Sequence, residues 1–198
     1  MKQTGYACAY GAGTIINAIS TWKGAAFGID LKTEAEVVLS NDKKITGYME
    51  EGGDTTLIER CVFLTLLRFG SKSGAKVSTK SQIPIASGLK SSSAAANATV
   101  LATLDALGEK LEPMEAIKIG VQAALDAKVS ITGAFDDACA SMLGGFVITD
   151  NKNKELIKRE ERTSEVLILA PETKTHEKTC KQRKHPKHDE GPYLPRAE

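Results

Sequence analysis

The chain has 198 residues, room for one large domain or one and a half small ones. Its 41% hydrophobic and 26% charged content is ordinary for a globular protein, and a net charge of +1 argues against nucleic acid or an anionic membrane as the main partner. No uninterrupted apolar run approaches the roughly 18 residues of a membrane span, and Gly11, Gly13 and Asn17 interrupt the N-terminal segment too early for a signal peptide. Cys8, Cys61, Cys139 and Cys180 are dispersed without pairs or regular spacing, which suggests a reducing compartment and a cytoplasmic protein.

In chain order, the first half reads as strands joined by glycine-rich turns, with "GAGTIIN" as a turn after the first strand. "AAFGIDLKTEAEVVLS" is rich in β-formers, and "KKITGYM" forms a further short strand. "DTTLIERCVFLTLLRFG" changes to helical spacing, with Asp54 as N-cap, Leu57, Cys61 and Leu64 on one face and Gly70 as the stop. "GAKVSTKSQI" alternates as a strand and leads into "PIASGLKSSSAA". From Ser93 the apolar residues recur at helical spacing up to Gly108, and "PMEAIKIGVQAALDAK" is a second helix with Pro113 at its first position. "GGFVIT" and "EVLILA" are read as two more strands.

Residues 172–198 differ sharply in character. They lack Val, Ile, Phe, Met and Trp, hold all three histidines and carry seven Lys or Arg. Such a segment buries too little apolar surface to offset its ordering entropy, so disorder is expected. His176, Cys180, His185 and His188 are zinc-ligand types, but their spacing matches no standard finger and a solvated tail is the better reading.

Strand, glycine-serine loop, helix is an arrangement that holds phosphate. The first amides of a helix lack internal partners and carry the positive end of its dipole. Small residues let a polyphosphate approach those amides, and hydroxyls add donors or a metal ligand. Ser87, Gly88, Leu89, Lys90, Ser91, Ser92 and Ser93 are the candidate phosphate-binding residues. The plainer reading, a helix capped by serine, needs one serine and not three. No Walker A motif occurs.

Pro84-x-x-x-Gly88-Leu89-x-Ser91-Ser92-Ser93-Ala94 resembles the signature phosphate loop of the GHMP small-molecule kinases. "GAGTIINAIS", "GAAFGIDLKTEAEV" and "ITGAFDDACASMLGG" are similar to segments of the archaeal-type shikimate kinases of that superfamily, in the same order. The resemblance implies an α+β fold: a ribosomal-protein-S5-domain-2-like GHMP N-terminal domain over residues 1–150, then a truncated ferredoxin-like second domain beginning at 151–171. It implies ATP as co-substrate, Mg2+ as the ion, and transfer of the γ-phosphoryl group to the 3-hydroxyl of shikimate, a step toward chorismate and the aromatic amino acids.

On that resemblance Asp136 takes the place of the active-site aspartate, with Asp137 as its substitute one residue on. The competing reading is a turn Asp pair capping the next helix. Asp126 falls where relatives carry an acidic metal ligand, so Ser91, Ser92 and Asp126 are the expected magnesium ligands. A solvated helix-end carboxylate remains open for Asp126. Thr14 and Asn17 are candidates for the acceptor hydroxyls, and Lys23 and Lys90 are possible partners of the acceptor carboxylate or of phosphate.

The late Gly-x-Gly-Pro-x-Ala motif of these kinases does not occur, and the family-like sequence fails after "LILAPETKT". The expectation is a reading frame disrupted near codon 175, with an apolar face left for self-association. Homoserine phosphorylation and a nucleotide-binding fragment without turnover are the alternatives. ATP and a small-molecule acceptor are the expected partners, with neither nucleic acid nor membrane.

Overall fold

The computed structural model describes residues 3–84 and 87–169. The tail read as disordered, with its histidines and Cys180, lies outside the described residues. The elements run β1 (Thr4–Ile16), β2 (Lys23–Ser40), β3 (Ile45–Met49), α1 (Thr56–Arg68), β4 (Gly74–Ser81), α2 (Ser91–Leu107), α3 (Pro113–Asp126), α4 (Phe135–Leu143), β5 (Phe146–Asp150) and β6 (Glu155–Glu160).

All six strands share one mixed sheet whose common member is β2. Antiparallel β1 follows β2 from Thr4 opposite Val38 to Ile16 opposite Ala25. The other edge of β2 is divided: β4 pairs with Thr33–Ser40 and β5 with Lys23–Phe27. β3 lies parallel outside β4, the pairing that a helical crossover through α1 permits. β6 lies antiparallel outside β5. The sheet therefore forks, and the chain leaving β4 at the fork becomes the serine loop.

The helices cover one face. Ala9, Val37 and Val77 of the sheet meet Ile58, Val62 and Ala98 of α1 and α2, while Ala12, Ala26 and Val147 meet Ile117, Val121, Phe135 and Cys139 of α3 and α4. α2 is apolar all round because it is central, buried among β1, α1, α3 and α4. Its alanines 94, 95, 96, 98, 102 and 106 are small enough for close approach on several sides at once. Asn97 joins α2 to α4: its Nδ2 donates to the Ala138 carbonyl at 3.0 Å and to Ser141 Oγ at 3.1 Å.

Three expectations are corrected. "GAGTI" is not a turn but the continuation of β1, with irregular register at Tyr10/Ala12 and Thr14/Ile16. A Cβ on Gly11 would stand 3.0 Å from the Leu89 carbonyl oxygen, so glycine serves close approach to the serine loop here. "EVLILA" forms no strand over its described residues 165–169; the strand pairing with β5 is 155–160. Asp54 precedes the α1 N-cap, Thr55, by one residue, and its Oδ1 accepts from the Thr56 amide at 2.9 Å.

Candidate active site

Two helix N-termini and one strand build the site. α2 begins behind Lys90 and α4 behind Ala134, and both residues are left-handed, at φ 61° and φ 50°. A non-glycine residue there costs on the order of 1 kcal/mol, and such strain gathers at functional sites. No side chain caps either helix. The first hydrogen bond of α2 runs from the Ala94 amide to the Lys90 carbonyl at 3.1 Å, so the amides of Ser91, Ser92 and Ser93 have no intrahelical acceptor. β1 anchors the loop through the Ala12 amide, which donates to the Leu89 carbonyl at 3.2 Å.

Ser92 and Ser93 line a narrow cleft with Ala124 of α3 and with Ser130, Gly133 and Ala134 of the α3–α4 loop. Gly88 is left-handed at φ 76°, and Ser87 Oγ donates to the Pro84 carbonyl at 2.7 Å, which closes the loop on itself.

The carboxylate that faces this loop belongs to Asp137. Its Oδ2 lies 3.3 Å from Lys90 Nζ, and its Oδ1 accepts from Thr14 Oγ1 at 3.2 Å. Asp137 is 6% exposed. Burial, then the neighbouring charge of Asp136, pushes its carboxyl up from 3.8 to about 6, against the opposing pull of Lys90 and Thr14. Asp136, the first choice from sequence, turns the other way: Asn151 Nδ2 donates to its Oδ1 at 2.8 Å. Successive helical residues do not share a face, so both cannot point at the loop.

The remaining candidates divide. Thr14 is brought to Asp137, whereas Asn17 spends its Oδ1 on the Ile19 amide at 2.9 Å in an exposed turn. Lys23 Nζ is held by Asp150 Oδ2 at 2.5 Å. Asp126 meets Arg60, whose Nη2 and Nε lie 2.6 and 2.7 Å from Oδ2, while Gln122 donates to Oδ1 at 2.8 Å. Those contacts, Gln122 first and then Arg60, hold the Asp126 carboxyl below its usual range. Among the described residues no three His, Cys, Asp or Glu side chains cluster as a metal site. Sequence reading missed Arg60 and Asn151, since neither lies in a motif and each reaches its partner across the fold.

The fork, the strand–loop–helix unit and the comparisons agree. Residues 56–145 match the family of GHMP kinases N terminal domain. That match spans a little under half of the chain. It is 64% identical over 177 residues to a shikimate kinase of Methanosarcina mazei, covering 88% of this chain and 60% of that protein. With the shikimate kinase of Methanococcoides burtonii it shares 62% identity, covering 87% and 61%. This chain thus spans about 60% of the length of the curated relatives it matches.

The fold of this chain is also that of a homoserine kinase from Cytophaga hutchinsonii, at TM-score 0.67 and 22% identity over 80% of this chain and 52% of that one. A Methanococcus jannaschii mevalonate kinase gives TM-score 0.66 at 16% identity, covering 79% and 56%. No helix among the described residues is long and apolar enough to cross a membrane.

Proposed function

We propose that this GHMP domain is the nucleotide-binding part of a shikimate kinase, which moves the γ-phosphoryl group of ATP to the 3-hydroxyl of shikimate. The observation that carries the reading is one buried carboxylate, Asp137, between the Lys90 cation of the serine loop and the Thr14 hydroxyl of β1. The archaeal relatives at 62–64% identity, named shikimate kinase, favour that acceptor over homoserine.

In this reading the amides of Ser91 to Ser93 cradle the triphosphate, assisted by Gly88 and the hydroxyl of Ser87. Thr14 orients the acceptor hydroxyl, and Asp137 takes its proton as the oxygen attacks the γ-phosphorus. The bond from that phosphorus to the bridging oxygen breaks, and its electron pair leaves on ADP. Lys90 neutralises the charge that gathers between them.

Magnesium fits the donor set: a hard cation with most of its shell supplied by water and phosphate needs one or two protein oxygens. Ser91 or Ser92 would supply a hydroxyl, whereas the Asp126 carboxylate expected beside them is already engaged by Arg60 and Gln122 and does not line the serine cleft. When bound, the ion neutralises and orients the triphosphate.

The second, ferredoxin-like domain expected from 151 would begin beyond β6 in this reading, because β6 pairs with β5 within the first sheet. The chain beyond β6 suits that role, since Leu167 and Leu169 are each more than four-fifths exposed. The deciding assay is ADP release with Mg-ATP and shikimate, homoserine or no acceptor. It is run on this chain and on one extended to the relatives' length. Shikimate-dependent release, lost at least about 100-fold in Asp137→Asn, is expected. Release with homoserine alone overturns the acceptor. ATP binding without release in both chains overturns the enzyme in favour of a nucleotide-binding fragment.

A further inference from the structure

We infer that Asp136 is a positioning residue, a buried carboxyl held by Asn151 and Gly24 that adds to the proton affinity burial already gives Asp137. The inference deepens the proposed function, on which it rests for its catalytic meaning. Asp136 is 4% exposed and occupies the first turn of α4, one residue before the carboxylate that faces the serine loop. Its side chain lies against β2 at Gly24, where an added Cβ would come within 2.5 Å of Oδ2 and 2.7 Å of Cγ. Only a residue without a side chain leaves room for this carboxylate.

Asn151 completes the holder. It is 2% exposed, its amide donates to the Trp22 carbonyl at 2.8 Å, and its Oδ1 accepts from Thr149 Oγ1 at 2.7 Å. Its Nδ2 is thereby aimed at Asp136. The assignment of donor and acceptor is fixed, because Thr149 must donate to the oxygen once the nitrogen faces a carboxylate. The holder is a neutral amide, so it brings no cation to the pair.

A second negative charge on adjacent residues in a dry site favours the protonated form of one of them. The groups around the pair are Lys90 from the serine loop, Thr14 from β1, Lys23 with Asp150 from β2 and β5, and Cys139 from α4 itself. Lys23 and Asp150 already neutralise one another. Lys90 is then the one cation among these groups that meets the pair, and it touches Asp137 alone.

The test is a carboxyl carbon-13 NMR titration of the full chain labelled at aspartate, in wild type, Asp136→Asn and Asn151→Ser. Asp137→Asn assigns its resonance. Asp136→Asn should lower the Asp137 midpoint by about one pH unit, a tenfold loss of proton affinity. Asn151→Ser should move the same midpoint with the Asp136 side chain retained, since its carboxyl group is no longer held in place. An unchanged Asp137 midpoint in Asp136→Asn overturns the inference. If that variant does not fold, an unchanged midpoint in Asn151→Ser overturns it. This readout needs no turnover: loss of the acceptor reading leaves the titration result standing, and the reverse also holds.

Discussion

In the proposed reading, Asp137 trades stability for chemistry. Its folded-state pKa of about 6 lies above the ordinary 3.8, so the folded chain binds more protons than the unfolded one between those values. Stability therefore falls as pH rises through that window and stays reduced above it. Replacing the carboxylate by an amide removes the charge burial. Asp137→Asn should raise the melting temperature at neutral pH by about 2–4 °C per kcal/mol recovered, while the same change abolishes transfer. Scanning calorimetry at pH 4 and pH 7.5 checks it: the gain should appear at the higher pH and shrink at the lower.

The same group has a kinetic signature. A base must be ionised to accept the acceptor's proton, so kcat/KM for shikimate should rise with pH and level off above about 6. A profile flat from pH 5 to 8 in an active chain would remove Asp137 from that role. At this scale the sequence exposed the two aspartates but not the order of their tasks. The difference is one of helical phase relative to Lys90 and Asn151, which lie 47 and 15 positions from the aspartates they meet. Thr14 and Asn17 were expected together, and the structure brings Thr14 to Asp137 while an Asx turn, decided by the local backbone path, closes Asn17 on the Ile19 amide.

Among the elements, β1 carries the most direct influence on the loop. The Ala12 amide and Gly11 together press β1 onto the Leu89 carbonyl. Gly11→Ala should push the loop outward by a few tenths of an ångström and weaken nucleotide binding several-fold with little change in melting temperature. Isothermal titration with ADP measures this, and unchanged affinity would detach the loop's geometry from β1.

Three helices and the long strand were readable because their patterns are strong: Pro113 opens α3, Gly108 closes α2 at φ 73°, and Ser91 to Ser93 mark the α2 start. β6 was not, because "ELIKRE" buries little beyond Leu156 and shows no two-period alternation of burial. The apolar run at 165–169 misled for the opposite reason, since strand-like composition needs a partner surface, and none covers it among the described residues. Likewise the glycines of β1 signal a turn in sequence but serve contact in space.

At the scale of the molecule, the division of β2 governs how the chain comes apart. One half of the sheet, with α1, and the other, with α3 and α4, both depend on the same 18-residue strand. Neither can be released without breaking hydrogen bonds of β2, so opening of one half exposes an edge of the other. We expect one cooperative unfolding transition, and amide hydrogens of β2 from Gly24 to Val38 that exchange last, at rates set by global unfolding. Among the described residues the serine loop reaches this strand through β1, at the Ala12 amide, so it can fluctuate on a much faster timescale while the frame that aims it stays closed.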